Sequence, residues 1–306
     1  MTGFAPPTAP DAAASLDRLR GIAGGTPLRP WPRLSERLGR EVRVKREDLA
    51  PGGAMFRGAA NAALCASPGA QSQDLVCASA GPFAEAVAAM AARLQVRAVL
   101  VLPEGAPAPD APGAGIRRHG ATLAAAREEA ARLARVEGLR LLDPASPAAI
   151  AGSAGAALEC LGEWPELSGI VAPACSGALC AGLALGLRGA GSAALLTAAA
   201  LQAGPSLRAT LTAAAPDATP PGADAPWPLR AAVTPEAPAA FMLLSAGMNA
   251  FTDLSGAELA AAEVFLAEPD PDAPAPGKGT ALALAALMFR EERLFGPRPV
   301  LLASGG

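Results

Sequence analysis

The sequence predicts an α/β fold with parallel sheets covered by helices, and three observations predict it. Short apolar runs at 74–79 (DLVCAS), 96–102 (VRAVLVL) and 169–173 (GIVAP) have the length and composition of buried strands. Between them lie segments with helical spacing, such as 83–94 (FAEAVAAMAARL) and the Arg/Glu-rich 123–136. The two kinds of segment alternate, and that order yields a parallel sheet with helices on both faces.

The elements follow in order. Residues 1–14 are rich in Pro and Ala and are expected to be loose. Helical spacing appears at 14–22 (ASLDRLRGI) and at 34–38 (LSERL), where Gly39 ends it. The run 41–45 (EVRVK) alternates as a strand does. Pro103 stops the 96–102 strand, and 106–115 reads as a turn-rich connection. A short strand at 140–142, a helix at 148–161, the 169–173 strand and a helix at 179–187 come next. Residues 214–228 and 267–276 are Pro/Ala/Asp-rich loops. The helix predicted at 254–265 has Ser255 as its cap and Glu258 as the capping-box partner. A helix at 280–291 and a strand at 298–302 close the chain, and no internal repeat is present.

The chain has 306 residues, 51% of them hydrophobic, which is ample for a large core. A formal charge of -3 gives no reason to expect nucleic acid or an anionic membrane as partner. The nineteen uncharged residues 169–187 approach a bilayer-spanning length. They are rich in Gly and Ala and include Pro173, so they read as strand, loop and helix of a buried core. Residues 1–15 lack a basic region followed by an apolar stretch, so no secretory signal is expected and the location expected is cytoplasmic. The five cysteines (Cys65, Cys77, Cys160, Cys175 and Cys180) form no CxxC pair, and His119 is the one histidine. No metal site is expected; reduced, buried thiols are.

From 26–28 (TPL) onward the order of motifs resembles the threonine/serine dehydratases. These belong to the second fold type of pyridoxal-phosphate enzymes, with the tryptophan synthase β chain. TPL is followed by LSERLG, VKRED, a Gly-rich turn and RGA. Further along stand 78–81 (ASAG), 102–107 (LPEGAP), 119–121 (HGA), 150–159 (IAGSAGAALE), 173–182 (PACSGALCAG) and 301–306 (LLASGG). Each motif is weak alone; their number and order carry the likeness over residues 16–306. The resemblance implies two α/β domains, with 45–145 a smaller one inserted into a larger one made of 1–44 and 146–306. It implies pyridoxal phosphate as cofactor.

The chemistry of that family needs an amine that holds the cofactor as an imine. The family supplies it from a lysine before R-G-A. Here the run is Gly52-Gly53-Ala54-Met55-Phe56-Arg57-Gly58-Ala59, which puts Met55 at the lysine position. The chain has two lysines. The resemblance makes Lys45 a salt-bridged strand residue, and Lys278 falls in a Pro/Gly segment that reads as a solvated loop.

Other expected cofactor contacts have changed as well. The phosphate loop retains one glycine in Cys175-Ser176-Gly177-Ala178, where the family has about four to converge N–H groups on the anion. The substrate loop reads Ser79-Ala80-Gly81-Pro82-Phe83, with Pro82 where the family has an asparagine. The acid expected near Gly277 is missing. Ser304 matches the residue that faces the pyridine nitrogen, and it also reads as a plain turn residue.

Two functions fit. One is a degenerate dehydratase, catalytically inactive, that binds a small amino-acid-like molecule or a protein partner in the old cleft. Its assembly would be a homodimer or a complex with an active relative, with the cofactor lost or weakly held. The other is an active lyase that deaminates threonine or serine by another amine. A decaying protein without a role is the third reading. The first predicts that Met55, Ala80, Pro82, Ser176, Gly177 and Ser304 line one cleft.

Overall fold

The computed structural model describes residues 6–23, 25–66, 68–174, 177–202 and 249–305. The loop expected at 214–228 and the positions Cys175 and Ser176 lie outside these residues.

The first helix, α1 (Ala9–Leu19), takes in residues 9–14 of the segment expected to be loose. The Asp11 carboxylate accepts both the N–H and the hydroxyl of Thr8, 2.7 and 2.6 Å away, which starts the helix earlier than hydrophobic spacing suggests. Strand β1 (Leu28–Pro30), helix α2 (Pro32–Leu38) and strand β2 (Arg43–Lys45) follow. Gly39 caps α2 in the left-handed conformation, at φ 64°. Two short 3-10 turns, Glu47–Leu49 and Gly53–Met55, lead into helix α3 (Phe56–Leu64) and the single turn α4 (Pro68–Gln71).

Strand β3 (Leu75–Ala78), helix α5 (Pro82–Leu94), strands β4 (Ala98–Leu102) and β5 (Gly115–Arg118), helix α6 (Leu123–Glu137) and strand β6 (Arg140–Leu141) come next. These strands form a four-stranded parallel sheet in the order β5-β4-β3-β6.

Helix α7 (Pro147–Glu163), strand β7 (Gly169–Pro173), helix α8 (Ala178–Gly189) and strand β8 (Leu195–Leu201) return the chain to the first sheet. Strand β9 (Ala250–Leu254), helices α9 (Gly256–Ala267) and α10 (Lys278–Phe289), and strand β10 (Pro299–Leu302) complete it. This six-stranded sheet runs β1-β2-β10-β7-β8-β9. Among the described residues only β1 is antiparallel to its neighbour. It lies at the edge, where Pro30 removes no ladder hydrogen bond.

The α/β class with parallel sheets therefore holds. Two predicted helix starts in the last part of the chain also move. Leu254 ends β9, and the helix begins at Gly256 behind the Ser255 cap, whose Oγ accepts the N–H of Glu258 at 3.3 Å. Lys278 is the first residue of α10 and is exposed; it does not sit in a loop. Gly277 at the N-cap lets the helix start there.

The uncharged stretch that includes Pro173 is β7 and α8, both buried. No helix among the described residues is long and apolar enough to cross a membrane. Helices α7 and α8 pack closely: a β-carbon on Gly182 would stand 2.6 Å from the Ile150 carbonyl oxygen, and one on Gly186 2.6 Å from that of Ala154.

Candidate functional site

Gly52 and Gly53 set the position of Met55. Both have left-handed φ, 71° and 58°. A β-carbon on Gly52 would lie 2.4 Å from the carbonyl oxygen of Pro82, and one on Gly53 only 1.7 Å from that of Ser304. The turn is thus wedged between the start of α5 and the end of β10, an approach that glycine alone permits. The Ala54 N–H donates to the Ser304 carbonyl oxygen at 3.0 Å, and the Met55 N–H to that of Gly52 at 3.3 Å. Met55 stands at the N-cap of α3 and is buried.

The Ser79–Pro82 segment joins β3 to α5. Ser79 Oγ accepts the N–H of Gly81 at 3.3 Å. Gly81 is the N-cap of α5 and Pro82 its first residue, where a missing N–H leaves no helical bond unmade. Pro82 is therefore also a good helix starter. Ala80 packs with Leu102 and Ala106.

Ser304 follows β10 and is buried. Its N–H donates to Thr280 Oγ1 at 3.1 Å, and its hydroxyl to the Gly305 carbonyl oxygen at 3.2 Å. A β-carbon on Gly279 would lie 2.2 Å from Ser304 Oγ and 3.4 Å from Pro173 Cγ. The start of α10, Ser304 and the end of β7 therefore meet. Gly177, with φ 80°, is the N-cap of α8 and donates its N–H to the Ala174 carbonyl oxygen at 2.9 Å. Ala178 is the first residue of that helix and is buried.

The structure thus brings the turn before Met55, Pro82 and Ser304 into direct contact. Gly279 also approaches Pro173, the residue before the Ala174 whose carbonyl oxygen accepts the Gly177 N–H. The position expected for Ser176 lies outside the described residues.

A buried charge network anchors α3, and sequence reasoning found only one of its members. Arg57 is 1% exposed. Its guanidinium donates to both oxygens of Glu47, at 2.8 and 2.9 Å, and both of Glu159, at 2.8 and 2.7 Å. It also reaches Thr26 Oγ1 at 3.0 Å. Lys45 Nζ, fully buried, donates to Glu159 at 2.6 Å and lies 3.6 Å from half-exposed Glu163.

Burial alone would depress the Arg57 guanidinium; Glu47 and Glu159 outweigh it and raise it above its ordinary value. Burial likewise works to raise Glu159, but Arg57 and then Lys45 hold its carboxyl below the usual range. The salt-bridged role that the resemblance assigned to Lys45 is what the structure has. Glu47 and Arg57 lie inside the VKRED and RGA motifs, so their presence in those motifs was the available signal.

Two sheets that meet at a glycine turn, a helix start and a serine turn define the fold of type II pyridoxal-phosphate enzymes, of the threonine/serine dehydratase-like kind. The profile of the pyridoxal-phosphate dependent enzyme family matches residues 19–305, and the chain belongs to that family. Pyridoxal phosphate is the cofactor that the family implies.

The chain is 34% identical over 180 residues to the biosynthetic L-threonine dehydratase of Pasteurella multocida, a match covering 56% of this chain and 35% of that one. It is 33% identical over 189 residues to the L-threo-3-hydroxyaspartate ammonia-lyase of Saccharomyces cerevisiae, covering 60% and 58%. The matches thus span about a third to three-fifths of those relatives' length. Among solved structures, a threonine deaminase from T.th. superposes with a TM-score of 0.83 at 27% identity, covering 98% of both chains. Maize serine racemase gives 0.83 at 21% identity, covering 99% of this chain and 94% of that one, a likeness of fold.

Proposed function

We propose that this chain is a threonine/serine dehydratase-like protein that has lost the Schiff-base lysine. It acts as a non-catalytic pseudoenzyme that binds a small amino-acid-like molecule or a partner in a cleft between a larger unit, 1–44 and 146–306, and a smaller one, 45–145. The observation that carries this reading is Met55, a buried thioether in the glycine turn between Pro82 and Ser304. A thioether forms no imine.

The two lysines of the sequence stand elsewhere. Lys45 is committed to Glu159, and Lys278 is on the surface at the start of α10. The residues at this site do not fit covalent attachment of pyridoxal phosphate. The loss of asparagine at Pro82 and of glycines around Gly177 supports weak cofactor binding in the same direction. The names of the similar proteins support a hydroxy amino acid or a close analogue as the ligand class.

The runner-up, an active lyase that deaminates threonine or serine, has one observation in its favour. Lys278 immediately precedes Gly279, which packs on Ser304. Purified protein mixed with pyridoxal phosphate and then with serine or threonine separates the two. The pseudoenzyme reading expects no imine absorbance band and no ammonia, whereas sustained ammonia release overturns it.

A further inference from the structure

Away from this site, one guanidinium keeps two buried N–H-bearing atoms without a partner. Arg140 lies on β6, an edge strand of the four-stranded sheet, paired with Leu75 of β3. Its Nη1 donates to the Ala70 carbonyl oxygen at 3.0 Å. Its Nε and Nη2 are shielded from solvent and have no hydrogen-bond partner. Among the described residues no carboxylate forms an ion pair with it, unlike Arg57 in its network. Burial lowers its pKa with nothing opposing.

The orphaned atoms are chemically specific. Nε and Nη2 form one edge of the guanidinium fork, two parallel N–H groups that match the two oxygens of a carboxylate or a phosphate. Shielding a charge without a partner is costly, and each unmade buried hydrogen bond adds to that cost. Arg140 reaches under α4, a single turn. Gln71 Nε2 holds that turn through the carbonyl oxygens of Leu64 and Ala66, each at 3.0 Å. Gly69 on the turn is exposed, with open space beside it. A ligand reaches the shielded Nε and Nη2 only through a local rearrangement, and this single turn is in contact with the guanidinium.

We propose that Arg140 is the centre of an oxyanion site, taking the carboxylate or phosphate group of a small molecule under α4. This site is separate from the cleft around Met55 and does not depend on how that cleft functions.

The test is thermal unfolding of the full chain in acetate, in inorganic phosphate and in chloride at matched ionic strength. Binding to the folded state raises the midpoint saturably. The expected result is a saturable rise in phosphate or acetate over chloride, absent in Arg140→Met and weakened in Arg140→Lys, which keeps the charge without the fork. The oxyanion that saturates at the lower concentration identifies the source. An identical response of the unmodified protein and Arg140→Met, or no saturable response, overturns the proposal. Should Arg140→Met fail to fold, the Arg140 Nε–H resonance of the unmodified protein decides: a saturable shift with the oxyanion supports the site, and an unmoved resonance overturns it.

Discussion

The carbonyl oxygen of Ser304 occupies the place where a side chain on Gly53 would begin, 1.7 Å from a β-carbon built there. Two turns 251 positions apart in sequence are locked together by a glycine and a backbone oxygen. Gly53→Ala should therefore destabilise the fold by about 3 kcal/mol, combining a backbone clash with a φ of 58° that alanine resists. Urea unfolding followed by circular dichroism measures this. A loss below about 1 kcal/mol, the scale of a φ penalty alone, would mean the two turns are not packed as described.

The buried network makes a second prediction. Arg57→Leu leaves Glu47 and Glu159 without their shared guanidinium, and removing one partner of a buried pair costs about 3–5 kcal/mol. The unfolding midpoint in urea should fall accordingly. Arg97→Leu, which removes an exposed ion pair with Asp74, should cost little by comparison.

Acid should act through Glu258. Hydrogen bonding to Arg290 holds its carboxyl down at about 2. The folded state thus binds that proton less readily than the unfolded chain does. The stabilisation is present above the ordinary glutamate value, roughly 4.3, and is lost as pH falls from there to about 2. A pH series of thermal midpoints should show a shallower acid limb in Glu258→Gln. Parallel limbs would rule out this pair as a contributor.

Thiol reactivity is the fourth prediction. Burial pushes Cys77 and Cys160 up to about 12, so neither forms thiolate near neutral pH, while Cys65 is exposed. Brief iodoacetamide treatment of folded protein, read by peptide mass spectrometry, should label Cys65 and spare Cys77 and Cys160.

Much of this architecture was legible in the sequence, and the reasons are local. Strand β7 is a continuous apolar run, and the Ser255 cap is a four-residue motif; both are read without tertiary knowledge. Strand β8 (LLTAAAL) is not, because alanine favours helix and only burial between β7 and β9 makes the run a strand. Strand β5 is exposed along its whole length and has no apolar signature. At the candidate site, the motif order pointed to Met55, Pro82 and Ser304, but it gave no sign that Gly53 touches Ser304 or that Gly279 does. Those contacts join distant segments and have no local pattern. The same holds for Arg57, whose role depends on a carboxylate 102 positions away.

On the function proposed above, no amine of this chain serves the family's imine chemistry. The direct measurement is borohydride reduction of the purified protein with excess pyridoxal phosphate, followed by peptide mapping, with Met55→Lys run in parallel. The expected result is no adduct at Lys45 and none at Lys278 that accompanies ammonia release. The Met55→Lys protein should give at most a weak adduct at position 55 without full turnover, because residues that act as one unit do not add. An adduct on Lys278 or Lys45 of the unmodified protein, together with ammonia from serine or threonine, would make the protein an active lyase instead.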